Sequence, residues 1–102
     1  MIPPAPTPAG HVTPTNAALG VAIRILRRAR KLTIEDLAFA ANMHPTYLSG
    51  IERSRRNPTW TKLTALARAL DIPMSALAHD AEVQTQLAAR TCEARRDLGL
   101  TA

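Results

Sequence analysis

The chain has 102 residues, with 13 Lys and Arg against 8 Asp and Glu, which gives a formal net charge of +5. Aromatic residues make up only 3% of it, so β-sandwiches and β-barrels, which need many aromatic and β-branched residues, are excluded. A single cysteine, Cys92, excludes an intramolecular disulfide framework and a cysteine-cluster zinc site. Ala, Leu and Arg are abundant and favour helix. The composition therefore predicts a small, basic, all-α protein whose partner is acidic.

Targeting and catalytic signals are missing from the sequence. No apolar run approaches the roughly 20 residues that cross a bilayer, and the N-terminus has no basic region followed by an apolar block. His11, His44 and His79 have no metal-ligand spacing, and no nucleophile–base pair or glycine-rich phosphate loop is recognisable. We therefore expect a cytoplasmic protein that is not an enzyme and uses no metal, no cofactor and no membrane.

The composition divides the chain into three parts. Residues 1–16 hold five of the eight prolines and no charged side chain, which predicts a disordered, Pro-rich arm. Residues 17–80 carry the helical periodicity of a folded domain. Residues 81–102 form a C-terminal extension with a thin apolar stripe, which makes it a candidate helix for dimerisation.

Three helices are predicted in the first half of the domain, over 17–30, 33–41 and 44–52, because apolar residues recur there at helical spacing. Thr33 can cap the second helix, followed by acidic residues that suit the positive end of the helix dipole. Pro45 suits the first position of the third helix, where its missing N–H costs nothing.

The second half predicts a fourth helix capped by Thr59, a short fifth helix over Met74–Ala78 and a sixth over 82–98. Trp60 is expected to pack at the start of the fourth helix.

Only two residues, Asn42 and Met43, join the helices 33–41 and 44–52. A link this short forces the two helices to cross at a steep angle. Asn42 sits where such a turn needs a positive φ, which Asn tolerates better than any residue except Gly. This is helix-turn-helix geometry, and it turns the exposed face of residues 44–53 outward.

Between Leu19 and Leu77 a series of short motifs occurs in a fixed order. Those motifs are Ile23-Arg-x-x-Arg27, Leu32-Thr-x-x-x-Leu-Ala38, Tyr47-Leu-Ser-x-Ile-Glu-Arg53 and Arg56-Asn-Pro-Thr59. The series resembles the Xre/Cro/CI family of helix-turn-helix transcriptional regulators. The resemblance implies an all-α, five-helix, lambda-repressor-like bundle with a candidate extra C-terminal helix. It also implies sequence-specific binding of double-stranded DNA by a homodimer, most often to repress transcription, with the third helix in the major groove. A protein of this kind is expected to be nucleoid-associated.

The resemblance and the chemistry of the side chains assign DNA contacts to one group of residues. These are Thr33, His44, Pro45, Thr46, Tyr47, Ser49, Gly50, Arg53, Arg55, Arg56 and Asn57. Arg53 can bind guanine through two hydrogen bonds, whereas Gly50 allows close approach. Tyr47 is either a phosphate contact or an amphipathic residue at the rim, and Arg55 and Arg56 either contact phosphates or belong to a solvated loop.

The resemblance also implies an ion pair between Arg27 and Glu52 that braces the first helix against the third. The sequence departs from the family pattern at Lys31, Asn42 and Ser54, which stand where glycine is common at helix ends. Ile34 replaces a Gln that binds phosphate in many members, so that role is not carried over.

An alternative function remains open. Val21, Ile25 and Phe39 lie off the predicted core stripes and are either scattered surface residues or an apolar partner patch. Such a patch, together with the C-terminal extension, fits an antitoxin-like or anchoring module whose main partner is another protein, such as a toxin.

Overall fold

The computed structural model describes residues 15–99 of the chain. It contains five helices, which are α1 (Asn16–Ala29), α2 (Ile34–Ala40), α3 (Pro45–Glu52), α4 (Trp60–Ala69) and α5 (Met74–Asp97). No strand occurs in this part of the chain, so the predicted all-α, five-helix class is confirmed. None of the helices in the described range is long and apolar enough to cross a bilayer. Nearly all of the predicted Pro-rich arm lies outside the described residues.

Side-chain caps set the first residue of helices α1 to α4. The Thr33 hydroxyl accepts the Asp36 N–H while the Asp36 carboxylate accepts the Thr33 N–H, both at 3.0 Å, which completes a capping box. Thr59 accepts the Lys62 N–H at 3.2 Å. The caps predicted from the sequence at Thr33 and Thr59 are confirmed.

The other two caps are Thr15, for α1, and His44, whose Nδ1 accepts the Thr46 N–H at 3.1 Å before α3. Pro45 occupies the first turn of α3, as predicted.

Four non-glycine residues with positive φ follow the ends of helices α1 to α4, and they are Lys31 (57°), Asn42 (56°), Ser54 (61°) and Asp71 (58°). In each case the next residue donates its N–H to the carbonyl five residues before it, as Met43 does to Ala38 at 2.9 Å. This closing bond satisfies one of the helix's last carbonyls. The prediction of a positive φ at Asn42 is confirmed.

The core is a set of aliphatic side chains contributed by all five helices. Those that are fully buried are Ile23, Leu37, Leu48, Ile51, Leu66, Leu70 and Leu77. Helix α1 packs against α3 and α5, and α2 packs against α3 and α4. Helix α3 is therefore held from two directions, which fixes the side that remains exposed.

Helix α5 runs without interruption where the sequence predicts two separate helices, Met74–Ala78 and 82–98. The segment between them stays helical because Ala81 and Thr85 are buried, on the part of α5 that packs against α1. The N–H of Thr15 donates to the Thr85 hydroxyl at 3.3 Å, which joins the start of α1 to α5. Small and hydroxyl side chains produce little hydrophobic periodicity, so the sequence pattern predicts two short helices where one long helix forms.

The expectation for Trp60 is wrong. Its side chain is 68% exposed at the first position of α4 instead of being packed.

Candidate nucleic-acid interface

Helices α2 and α3 form a tight pair joined by the turn at Asn42. Ala38 and Leu37 of α2 are buried in the same core cluster as Leu48 of α3, and the small Ala38 side chain allows the two helices to approach closely. Leu48, Ile51 and Glu52 form the inner side of α3. The opposite side of the helix is thus turned away from the core.

This outer side of α3 carries most of the residues that the sequence assigns to DNA. His44, Thr46 and Arg53 are exposed, and Ser49 and Gly50 are half-buried. Short polar side chains at Thr46 and Ser49 leave the surface open around Arg53, whose long side chain carries five N–H donors. The arrangement fits the edges of bases in a major groove, which is wide enough for one helix.

Pro45 and Tyr47 are half-buried. Tyr47 packs against the core cluster, which agrees with its interpretation as an amphipathic residue at the rim. A phosphate contact by its hydroxyl stays a prediction.

The loop after α3 folds back onto the helix. Ser54, at a φ of 61°, reverses the chain, and the N–H groups of Arg55 and Arg56 both donate to the Gly50 carbonyl, at 2.7 and 3.2 Å. The side chains of Arg55 and Arg56 are exposed beside Arg53. Three arginines within four positions therefore form one basic edge of α3.

Asn57 is exposed next to this edge, and its Oδ1 accepts a hydrogen bond from Nδ2 of Asn16, at the start of α1. Phosphate oxygens only accept hydrogen bonds, so the amide nitrogen of Asn57 is the group that suits them. The contact with Asn16 orients that amide, and no pattern in the sequence predicts it.

Thr33 lies apart from α3, at the start of α2. It lines a cavity of about 560 Å³ together with Lys31, Thr46 and Ser49, so the start of α2 and the outer side of α3 border the same space. Its hydroxyl oxygen already accepts the Asp36 N–H. Its hydrogen is the group that could donate to a phosphate, and this contact stays a prediction.

The capping box also affects Asp36, because hydrogen bonds from the Thr33 backbone and side chain lower the pKa of that carboxyl below its usual value.

Arg27 and Glu52, the pair implied by the resemblance, lie in contact in the interior. Arg27 Nε lies 2.8 Å from Glu52 Oε2, and Arg27 Nη2 lies 3.1 Å from Oε1. Their side chains are only 9% and 1% exposed. Arg27 also donates to the Leu32 carbonyl at 2.9 Å, and Arg24 donates to Glu52 Oε1 at 3.4 Å. The one carboxylate of α3 thus faces two arginines of α1 and not the outer side of the helix.

The hydrogen bonds that Arg27 donates to the Glu52 carboxylate raise the pKa of Arg27 above its ordinary value, against the opposing effect of burial. Arg27 therefore stays charged in its pair with Glu52.

Gly20 lets α1 and α3 approach closely, and sequence reasoning missed it. A Cβ added to Gly20 would lie 2.5 Å from the carbonyl oxygen of Glu52 and 2.7 Å from that of Ile51. The obstructing atoms are backbone, so they cannot rotate away. A glycine inside a helix costs about 1 kcal/mol relative to alanine, and this cost was the signal that Gly20 has a packing role.

A family model described as helix-turn-helix matches residues 23–77, more than half of the chain. The chain belongs to the helix-turn-helix family. The matched segment spans α2 and α3 and the residues that pair them, so the predicted resemblance to Xre/Cro/CI regulators is confirmed.

Named helix-turn-helix proteins are similar to this chain over most of its length. The immunity repressor protein of Bacillus phage phi105 is 36% identical over 92 residues, which cover 78% of this chain. The match covers 64% of the repressor's own length, so the chain spans slightly less than two thirds of that relative.

Two solved helix-turn-helix structures resemble the fold. The clp gene regulator ClgR from Corynebacterium glutamicum is 29% identical, with a TM-score of 0.79, over 91% of this chain and 94% of that one. The restriction-modification controller protein C.Esp1396I, solved as a tetramer in complex with its natural 35-base-pair operator, is 28% identical. Its TM-score is 0.64, over 69% of this chain and 92% of that one.

Proposed function

We propose that this chain is a sequence-specific DNA-binding regulator of transcription that acts as a repressor and places α3 in the major groove. The observation that carries the proposal is the division of charge on α3. Its carboxylate, Glu52, is buried against Arg27, while Arg53, Arg55 and Arg56 are exposed at its outer edge. A surface that meets phosphates and base edges needs this distribution. The similarity to a phage immunity repressor supports the regulatory role.

The proposed contacts follow from the chemistry of each side chain. Arg53 reads guanine through O6 and N7, and Thr46 and Ser49 contact neighbouring base edges. Arg55 and Arg56 bind phosphates, which fix the position of the protein without selecting a sequence.

Further phosphate contacts are assigned to groups at the margin of the site, which are the amide of Asn57 and the hydroxyls of Thr33 and Tyr47. His44 already uses Nδ1 in the cap of α3, so its Nε2 is the atom offered to DNA.

We also propose that the chain binds DNA as a homodimer through the C-terminal extension, residues 81–102. Val21 of α1 and Leu87 of α5 are 42% and 48% exposed and line a cavity of about 270 Å³ between these two helices. Beyond Leu87 the described part of α5 has no buried residue. A second copy is the occupant that suits this apolar surface, because one domain reads only a few base pairs and a two-fold operator needs two.

Replacing Leu87 with Glu tests the dimer. The change should halve the mass in solution and weaken operator binding without lowering the helix content. Phe39→Glu is the matched control, since Phe39 is 88% exposed on α2, a helix that packs against α3 and α4 and not against the α1–α5 surface. A change of mass in Phe39→Glu alone would place the interface on α2 instead.

The alternative, an antitoxin-like or anchoring module, has less support. The relatives described above are named as a repressor, a gene regulator and a controller protein, and none of these names refers to a toxin. Co-purification of this chain with the product of an adjacent reading frame would favour the alternative.

A footprint on the DNA upstream of the chain's own gene, repeated at two salt concentrations, tests the main proposal. We expect protection of two half-sites about one helical turn apart and a steep loss of affinity with salt.

Replacing Arg55 and Arg56 together with Ala should weaken binding to all sequences alike and flatten the salt dependence. Equally weak binding to the upstream DNA and to a scrambled duplex would contradict the proposal.

A further inference from the structure

Gly50 lies under the side chain of Arg56. A Cβ added to Gly50 would lie 2.6 Å from Cγ of Arg56, 3.6 Å from its Cβ and 3.8 Å from its Cδ. The three nearest atoms all belong to the aliphatic part of this one arginine. Arg56 therefore crosses the outer side of α3 at the one position of the helix that has no side chain.

The backbone holds Arg56 in this place. Its N–H donates to the Gly50 carbonyl at 3.2 Å, alongside the N–H of Arg55 at 2.7 Å. The positive φ of Ser54 directs the chain back toward the helix. Gly50 thus does two things: its carbonyl fixes the backbone of Arg56, and the methylene groups of Arg56 lie over it.

We propose that Gly50 is a positioning residue that acts through Arg56. By leaving room for the arginine's methylene groups, it holds the guanidinium beside α3, where it binds one phosphate and sets how α3 sits in the groove. The inference rests on the proposed function and refines it. Sequence reasoning gave Gly50 a different role, in which the missing side chain lets DNA itself approach the helix.

The two roles predict different results for Gly50→Ala. If Gly50 acts through Arg56, the added methyl displaces the arginine and has nothing left to displace once Arg56 is Ala. If Gly50 makes room for DNA, the methyl obstructs the DNA whether or not the arginine is present. A double-mutant cycle of Gly50→Ala and Arg56→Ala separates the two.

Affinity for the operator should fall about tenfold in Gly50→Ala and in Arg56→Ala. In the double variant we expect it to fall little further than in either single one. Each single variant should also bind with a salt dependence shallower by about one phosphate contact, and the double variant by no more than that. A role confined to folding would leave the salt dependence unchanged.

Two further variants act as controls. Arg55→Ala removes a neighbouring arginine, so its effect should add to that of Gly50→Ala. Arg56→Lys keeps a charge on an aliphatic chain, and it should retain most of the affinity and stay sensitive to Gly50→Ala. Thermal unfolding of each variant shows that the domain is folded in the assay.

Additive losses from Gly50→Ala and Arg56→Ala would overturn the inference and leave the proposed function standing. Failure of the unaltered chain to prefer its operator over a scrambled duplex would overturn both.

Discussion

The inner side of α3 makes the contacts that stabilise the fold, whereas the outer side carries the residues proposed to contact DNA. On the inner side, Leu48 and Ile51 are fully buried and Glu52 is bound by Arg27. On the outer side, Thr46 and Arg53 are exposed. Helix α3 and its C-cap Arg53 therefore carry two separate sets of side chains, one that holds the fold and one that faces the proposed DNA. Substitutions on the inner side should change stability, and those on the outer side should change binding.

Glu52→Ala should have the largest effect. It leaves the Arg27 guanidinium buried without its carboxylate, which costs about 3–5 kcal/mol, a large share of the roughly 5–15 kcal/mol by which native domains are stable. Urea unfolding followed by circular dichroism measures the loss. Glu35→Ala, which removes an exposed carboxylate from the first turn of α2, is the control and should cost less than about 1 kcal/mol. A Glu52→Ala protein that unfolds like the wild type but selects different bases would break the distinction between the two sides.

Gly20→Ala tests the inner side of α3 through the helix that packs against it, α1. Its methyl group meets the backbone carbonyls of Ile51 and Glu52, so α1 and α3 must separate, at a cost of about 1–3 kcal/mol. The same substitution at Gly50 meets Cγ of one arginine side chain, which can rotate about its Cα–Cβ bond, so it should lower the unfolding midpoint less than Gly20→Ala does. Equal losses of stability in the two variants would mean that α3 is as tightly constrained outside as inside.

Arg53→Ala tests the outer side. It should weaken operator binding by about 1–3 kcal/mol and relax the preference at one base position, with no change in thermal stability. Binding to a panel of operators with single substitutions measures the preference. A uniform loss across the panel would reassign Arg53 to the phosphates.

Asp36 gives the smallest expected effect, because its carboxylate is exposed at the start of α2, on neither side of α3. Its pKa is lowered in the folded state, so its contribution to stability is complete above the unfolded pKa, about 3.9. That contribution is lost as the pH falls through the lower folded-state pKa. Urea unfolding of wild type and Asp36→Asn should differ at pH 7 and converge in acid. A difference that persists in acid would show that the cap does not depend on the charge.

The sequence predicts those parts of the fold that depend on local chemistry. The caps at Thr33 and Thr59 and the turn at Asn42 follow from preferences of single residues. The continuity of α5 depends on burying Ala81 and Thr85 against a helix far away in the chain, and no local pattern encodes it.

The candidate site divides in the same way. The outer positions of α3 follow from helical periodicity and the resemblance, and the structure leaves Thr46 and Arg53 exposed. The closeness of Gly20 to the end of α3, and the position of Arg56 over Gly50, depend on how separate segments meet in space. Spacing along the chain does not contain that information.

The unbroken course of α5 has a mechanical consequence for a paired protein. From Met74 to Asp97 the helix offers no hinge between the body that holds α3 and the surface proposed for the second copy. In the proposed dimer, a continuous helix of this kind would tie the position of the second copy to that of α3. Each residue inserted after Leu87 would turn the rest of α5 by about 100° and advance it by about 1.5 Å, so contacts that the second copy makes beyond Leu87 would no longer match those it makes at Leu87 and Val21.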